Sequence, residues 1–258
     1  MWSKDISRRT SDGGPAVVAL IDSGIDPRMS DIGNFIRKST GFSIKDGYIA
    51  EDKERPIESE HATAISLIIR EIAKDVEFIS INILNERLAT DFRVLLYALY
   101  YTLDYALRLD GLKPDVIHLS LGTSNLLHYF HLRDIVIKAA ASDILIVASA
   151  DNGLGICLPA SMNGVLGVKS SPDLKPDRYS FDGRFFRAPS TLNGISGSDC
   201  LERQDYKGCS LAAAYITGHI AKIVLRDGWT GRDDILTKLK AKSKAAAKWG
   251  FWRMKVFK

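Results

Sequence analysis

Three residues far apart in the chain have the side chains of an acid, a base and a nucleophile. Asp22, His61 and Ser210 occur in that order. A hydroxyl is a poor nucleophile until a base takes its proton. An imidazole serves as that base when a third group fixes its tautomer and stabilises its charged form. The three residues therefore offer the chemistry of a serine hydrolase.

Each of the three residues is predicted where a regular element begins or ends. Asp22 ends the apolar run 16–21, which is typical of a buried parallel strand, so it is expected at the sheet edge where α/β folds bind ligands. His61 opens a stretch with apolar residues at helical spacing, and Ser59 is a candidate N-cap. Ser210 begins a long helix of small and apolar residues, where the helix dipole favours developing negative charge.

The rest of the chain predicts an α/β fold. Apolar strands are expected at about 77–84, 115–121, 144–150 and 164–169, and helices near 91–109 and 133–141. This alternation predicts a mostly parallel sheet with helices on both faces. The 258 residues, of which 46% are hydrophobic, suffice for a single domain over 1–258. Residues 1–15 are interpreted as an N-terminal extension, and 230–258 as a basic C-terminal helix and closing segment.

Short motifs around these residues resemble those of the subtilisin-like serine proteases, the subtilases. The segments 22–25, 60–63 and 208–214 resemble the family's acid, base and nucleophile motifs, and 115–122, 144–153, 158–161 and 187–189 resemble segments between or beside them. The order Asp, His, Ser is also the order of the subtilisin triad. The match covers roughly residues 16–225, so it implies a subtilisin-like fold for most of the chain.

The resemblance also implies roles for individual residues. It assigns the triad to Asp22, His61 and Ser210, and stabilisation of the oxyanion to Asn152 together with the Ser210 amide. A prepositioned amide donor is worth about 10²–10³-fold in rate. An extended peptide could add as a strand along residues 120–122, at the end of the predicted strand 115–121. The substrate-binding residues implied are Ser120, Leu121, Gly122, Ala150 and Gly153.

Departures from the family pattern leave a second interpretation open. Ala62 stands where the family has glycine, Cys209 where it has threonine and Ala214 where it has proline. Asp151 also replaces a glycine, and a carboxylate beside an oxyanion hole would oppose the developing charge unless it is paired or turned away. Cys209 is either a rival nucleophile or a small buried residue. The alternative is a catalytically silent subtilase fold that binds peptide or acts as a scaffold.

The termini and the cysteines indicate the compartment. The first residues lack the apolar core of a signal peptide, and no apolar run is long enough to span a bilayer. Cys157, Cys200 and Cys209 form neither an even disulfide framework nor a metal-ligand spacing. We therefore expect a cytoplasmic protein with thiols, no cofactor, no metal and no stable membrane insertion. No acidic spacing is specific enough to predict a calcium site.

About fifteen residues precede the first predicted strand, so we expect no folding prodomain of the kind that secreted subtilases carry. Activity would then be restrained by compartment, substrate selectivity or a partner. We therefore expect a small intracellular member that processes selected peptides, for example by removing leader peptides. General turnover remains a possible use.

Two charged regions admit more than one interpretation. The segment 41–60 is interpreted as a solvated loop before the His61 helix, in preference to a specificity loop. The stretch 235–258 contains eight basic residues, which could bind an acidic segment of a peptide substrate, a membrane surface or nucleic acid. An ordinary surface helix with a closing strand is favoured. A net charge of +4 and a pI near 8.8 are too mild to indicate nucleic-acid binding.

Overall fold

The computed structural model describes residues 14–108, 113–151, 153, 155–202 and 206–251. The strands are β1 (Ala16–Asp22), β2 (Ile36–Lys45), β3 (Tyr48–Asp52), β4 (Val76–Asn82), β5 (Val116–Leu119), β6 (Leu145–Ser149), β7 (Val165–Ser170), β8 (Ser180–Phe181) and β9 (Phe186–Ala188). The helices are α1 (His61–Ile72), α2 (Phe92–Arg108), α3 (Tyr129–Ala141), α4 (Cys209–Asp227) and α5 (Arg232–Phe251).

These strands form a nine-stranded sheet within the described residues. Its order is β3-β2-β4-β1-β5-β6-β7-β9-β8. The seven strands from β2 to β9 in this order are parallel to one another. The edge strand β3 pairs antiparallel with β2, and the edge strand β8 pairs antiparallel with β9. The predicted α/β fold with a mostly parallel sheet is confirmed. Because β1 lies between β4 and β5, its carboxyl end is near the middle of the sheet.

Alternation along β1 builds two cores, one on each face of the sheet. Val18 and Leu20 belong to a cluster with the apolar residues of α1 and α4, whereas Val17 and Ile21 belong to a cluster with those of α2 and α3. The predicted helices on both faces are thus confirmed. A Cβ on Gly218 of α4 would lie 2.9 Å from Ile72 Cδ1, so this glycine lets α4 approach α1 closely.

The segment 41–60 is not a loop throughout, and its interpretation as one is wrong over its first part. Residues 41–45 belong to β2, which pairs with β3 in a hairpin. The turn residues Asp46 and Gly47 both have positive φ, 51° and 83°, which is the backbone that a two-residue Asp-Gly hairpin turn requires. Phe42 is buried on the same strand, so the hairpin extends the sheet and its core.

The predicted C-terminal helix is present as α5. The closing segment 252–258 and residues 1–13 lie outside the described residues. None of the described helices combines the length and the apolar character needed to cross a membrane.

Candidate active site

The predicted acid and base are in direct contact. Asp22 is fully buried at the end of β1, and His61 is buried at the start of α1. Asp22 Oδ1 lies 2.9 Å from His61 Nδ1 and accepts the Ser23 N–H at 2.7 Å. An ionised carboxylate only accepts hydrogen bonds, so Nδ1 carries the proton and Nε2 is the basic nitrogen of the ring. The fold therefore supplies an imidazole in the tautomer that a general base needs.

The pKa values of the two groups shift in the directions expected of an ion pair. Burial alone would raise the pKa of Asp22, but the charge and hydrogen bond of His61 and the Ser23 N–H outweigh it and lower the pKa. Burial alone would lower the pKa of His61, but the charge and hydrogen bond of Asp22 outweigh it and raise the pKa. His61 is thus a stronger base than a free histidine.

A second set of hydrogen bonds fixes the start of α1. The Ser23 hydroxyl donates to the Ser59 carbonyl at 2.9 Å and accepts the Ala62 N–H at 3.1 Å. The N-cap of α1 is Glu60, and the Ser59 hydroxyl, one residue earlier, accepts the His61 N–H at 3.3 Å. The prediction of Ser59 as N-cap is therefore wrong by one residue. Ser23 was missed, although a hydroxyl directly after the acid was a usable signal.

The predicted nucleophile lies at the start of α4, as the sequence indicated. The N-cap Gly208 has φ 123° and ψ −168°, a conformation that side-chain-bearing residues rarely adopt. The Ser210 hydroxyl donates to the Ser120 carbonyl at 3.3 Å. Among the described residues it has no hydrogen bond to His61. The acid and base are therefore joined, whereas the nucleophile is held at the neighbouring strand end.

The predicted substrate edge follows β5. Segment 120–122 leaves the carboxyl end of that strand, and the next residue, Thr123, forms an antiparallel bridge with Leu158 through two N–H···O bonds of 2.8 Å. A Cβ on Gly122 would lie 2.5 Å from Cys157 Sγ. Glycine is needed there because the segment carrying Cys157 approaches so closely. The bond from the Ser210 hydroxyl to the Ser120 carbonyl places this edge beside the start of α4.

The predicted oxyanion region follows β6. Ala150 is buried directly after the strand, and Asn152 lies outside the described residues, so its role stays a prediction. Asp151 is exposed and its Oδ1 accepts the Gly153 N–H at 3.2 Å. Lys169 Nζ donates to the Gly153 carbonyl at 2.9 Å. The Asp151 carboxylate is therefore engaged within its own loop.

Sequence reasoning missed a buried histidine beneath the site. His118 lies 2.9 Å from Thr217 Oγ1 through Nδ1 and 2.9 Å from Ser120 Oγ through Nε2. Burial lowers its pKa to about 4. A signal existed, because His118 interrupts an apolar run two residues before Ser120 and so shares its face of the strand. The ring of Tyr206, which packs edge-on against His61 at 5.7 Å between centroids, had no such signal.

Cys157, Cys200 and Cys209 are free thiols. Cys209 is the first residue of α4 and is partly buried. Burial raises the pKa of the Cys157 thiol, which disfavours its reactive thiolate form. In the described part of the chain, no group of His, Cys, Asp and Glu side chains could hold a metal ion.

Comparisons with solved structures identify the fold. Sphericase matches with a TM-score of 0.72 and 16% identity, covering 90% of this chain and 84% of that one. A cold-adapted subtilisin-like serine proteinase matches with a TM-score of 0.68 and 17% identity over 95% and 89% of the two chains. A lanthipeptide protease matches with a TM-score of 0.58 and 21% identity over 82% and 74%. No protein-family model and no curated protein matches the sequence. The chain has the fold of the subtilisin-like serine proteases.

Proposed function

We propose that the protein is a serine endopeptidase that hydrolyses peptide bonds through an acyl-enzyme intermediate. The observation that carries this proposal is the buried hydrogen bond of 2.9 Å between His61 and Asp22 at the carboxyl end of a central strand. Ser210 supports it because it bonds to the end of β5, the strand that pairs with β1 beside Asp22. An oriented base and a nearby hydroxyl are what acyl transfer requires.

The roles follow from the chemistry of each group. The Ser210 hydroxyl turns from the Ser120 carbonyl to His61 Nε2, which takes its proton as Oγ attacks the peptide carbonyl. Asp22 stabilises the imidazolium that forms. His61 then protonates the leaving amine, and the reverse sequence with water releases the acyl group. Asn152 and the Ser210 N–H are proposed to donate to the oxyanion.

The substrate is proposed to bind as an extended strand. Ser120, Leu121 and Gly122 continue from β5, so their main-chain groups can bond to a peptide laid beside them. Ala150 and Gly153, at the end of β6, are proposed to contact the residues near the scissile bond. Main-chain pairing would hold that bond still and leave specificity to the side chains.

We further propose selective processing of peptides, such as removal of a leader segment, in preference to general digestion. The likeness to the structure of a lanthipeptide protease supports this use. An acidic stretch of substrate could contact the basic face of α5. The cytoplasmic location and the exclusion of nucleic acid stay predictions from the sequence.

A catalytically silent peptide-binding protein is the second candidate. It is favoured by one observation: the Ser210 hydroxyl bonds to a backbone carbonyl and, among the described residues, not to His61. The carboxylate of Asp151 is weaker support for a silent protein than the sequence suggested, because it already accepts a hydrogen bond from the Gly153 N–H.

A cleavage profile on a peptide library separates the two candidates. Mass spectrometry of a defined library after incubation with the protein should detect new termini, and Ser210→Ala is the matched control. Cleavage by wild type alone supports the endopeptidase. Peptides that are retained intact by both proteins would support the scaffold instead.

A further inference from the structure

His118 is a fully buried polar residue in the middle of the sheet. It lies on β5 opposite Leu20 of β1 and Val147 of β6. Its two ring nitrogens contact two hydroxyls, Thr217 Oγ1 and Ser120 Oγ, each at 2.9 Å. Both polar atoms of a side chain without solvent contact are therefore satisfied by specific partners.

The chemistry of the ring suits these two partners. Because burial lowers the pKa of His118 to about 4, the imidazole is neutral near pH 7 and has one N–H donor and one acceptor. A hydroxyl can both donate and accept, so either tautomer satisfies both contacts. An apolar side chain of similar size would leave both hydroxyls without this partner.

The two partners belong to the two segments that place the nucleophile. Ser120 is the residue whose carbonyl accepts the Ser210 hydroxyl at 3.3 Å. Thr217 lies about two turns after Ser210 on α4, and therefore on the same side of that helix. One imidazole thus joins the helix that carries Ser210 to the strand end that holds its hydroxyl.

We propose that His118 is a positioning residue for Ser210. It fixes the distance between α4 and the end of β5, and it holds Ser120 so that the carbonyl of that residue meets the Ser210 hydroxyl. It acts through Ser120 and Thr217 and does not touch the substrate. This inference rests on the proposed function, because it concerns the reactivity of the same serine.

The test is the rate of covalent labelling by a small fluorophosphonate, measured across pH. His118→Phe keeps an aromatic ring, of slightly larger volume, but removes both hydrogen bonds; the same change at His219 controls for the added volume. Because displacing a reacting group by about 1 Å can cost about 10²-fold, we expect its plateau labelling rate to fall about 10-fold or more. The apparent pKa of labelling should stay at the wild-type value, since the contact of His61 with Asp22 is intact. His118→Gln, whose amide both donates and accepts, should recover part of the rate.

His219→Phe is the matched control. His219 is also buried on α4, and burial together with the nearby lysine charges lowers its pKa to about 3. Its ring packs against Tyr179 at 4.6 Å, and Nδ1 lies 3.5 Å from Lys242 Nζ, so it faces α5 and not the site. We expect this variant to lose thermal stability and to keep the wild-type labelling rate.

The following outcomes decide the proposal. A wild-type rate in folded His118→Phe, or an equal loss in both phenylalanine variants, would overturn it and leave His118 a purely structural residue. If His118→Phe fails to fold, Thr217→Val replaces it: this variant removes one hydroxyl at almost constant volume, and it should lose rate several-fold without a change in apparent pKa. Wild type that is not labelled at all would refute the proposed function, before any variant is compared.

Discussion

The two halves of the candidate site are held in different ways. The acid–base half, Asp22 and His61, is buried and directly bonded at 2.9 Å. The nucleophile half, Ser210 and Ser120, is partly buried, and its hydroxyl bonds to a backbone carbonyl at 3.3 Å. The base is thus oriented by the fold itself, whereas the direction of the hydroxyl depends on a neighbouring segment. Substitutions in the two halves should therefore change activity in different ways.

The contrast extends to the histidine in each half. His61 and His118 are both buried, and burial disfavours the charged form of each. His61 is hydrogen-bonded to Asp22, and that bond and the Asp22 charge together raise its pKa. At His118 the Asp22 charge acts without a hydrogen bond and does not offset burial, so the pKa falls to about 4. Direct contact with the carboxylate therefore decides which histidine can act as a base at neutral pH.

The largest expected effect is loss of the nucleophile. Ser210→Ala should lower kcat for peptide hydrolysis by about 10⁶-fold, the magnitude measured when subtilisin itself loses its serine. Cys209→Ala should retain most of the activity. The match of residues 208–214 to the nucleophile motif of the subtilases assigns the attack to the Ser210 hydroxyl and not to the Cys209 thiol. Steady-state hydrolysis of one peptide by the two variants checks this prediction. The reverse pattern would make Cys209 the nucleophile.

The next effect concerns the acid. Asp22→Asn should lower kcat by about 10⁴-fold, because the base loses its preferred tautomer and the charge that stabilises the imidazolium. Neutral His61 is the active form and Asp22 raises its pKa, so wild-type activity should rise with pH through an apparent pKa above the usual value near 6.5. In Asp22→Asn that pKa should fall. A pH–rate profile tests both points, and an unmoved pKa would mean that Asp22 does not act on His61.

A smaller loss is expected in the oxyanion region. Asn152→Ala should lower kcat by about 10²-fold with little change in KM, because the donor acts mainly in the transition state. Asp151→Gly should hold or raise activity, since a carboxylate next to the proposed oxyanion donor Asn152 would oppose the developing charge. Kinetics of both variants on one peptide provide the check. A raised KM with unchanged kcat would make Asn152 a ground-state binding residue, and a large loss in Asp151→Gly would show that its bond to Gly153 is essential.

The two histidines should also give opposite pH dependence of stability. The pKa of folded His61 is raised, so its stabilisation is present below about 6.5 and is lost as pH rises through the raised value. The pKa of folded His118 is depressed, so its stabilisation is present above about 6.5 and is lost as pH falls toward about 4.

Urea unfolding between pH 4 and 9 measures this difference. His118→Gln should lose stability less steeply below pH 6.5 than wild type, by up to about 1.4 kcal/mol per pH unit, which corresponds to one proton. His61→Gln should instead flatten the loss on the alkaline side. The same change in slope for both variants would contradict the opposite pKa shifts.

The smallest effect concerns charge outside the site. On α5, Lys238 forms ion pairs with Asp227 and Asp234, and Lys240 Nζ lies 5.1 Å from the Phe181 ring centroid. The two carboxylates therefore offset the charge of Lys238, which leaves less positive charge on α5 to attract an acidic peptide. We expect kcat/KM for a long acidic peptide to fall a few-fold at high salt, and a short neutral peptide to be nearly indifferent.

Charge-matched variants locate this effect. Lys240→Gln with Lys244→Gln should weaken the salt dependence for the acidic peptide. Lys45→Gln with Lys53→Gln changes the net charge equally but lies at the hairpin on the opposite edge of the sheet, so it should not. If the two double variants show the same salt dependence of kcat/KM for the acidic peptide, α5 is an ordinary solvated surface helix that does not bind substrate.

The sequence predicted the elements that carry the acid, the base and the nucleophile because each follows or begins a strong local pattern. The apolar run before Asp22 formed β1, and the spacing after His61 and Ser210 formed α1 and α4. Local patterns of this kind are the signal that a single sequence carries best.

Other features depended on contacts that a local pattern does not contain. His118 and Thr217 are 99 residues apart, so nothing in either segment indicated their bond. The hairpin was missed for another reason: the charged residues of the segment 41–60 suggested solvent, although Asp46-Gly47 between two runs with apolar residues was a usable turn signal.

Mapping the site of fluorophosphonate labelling tests the catalytic assignment most directly. Wild type, Cys209→Ala and Ser210→Ala are incubated with the probe near pH 8, digested and analysed by mass spectrometry. We expect one adduct per chain, on Ser210, in wild type and Cys209→Ala, and none in Ser210→Ala. No adduct on folded wild type, or an adduct that persists in Ser210→Ala, would contradict the assignment of Ser210 as a nucleophile activated by Asp22 and His61.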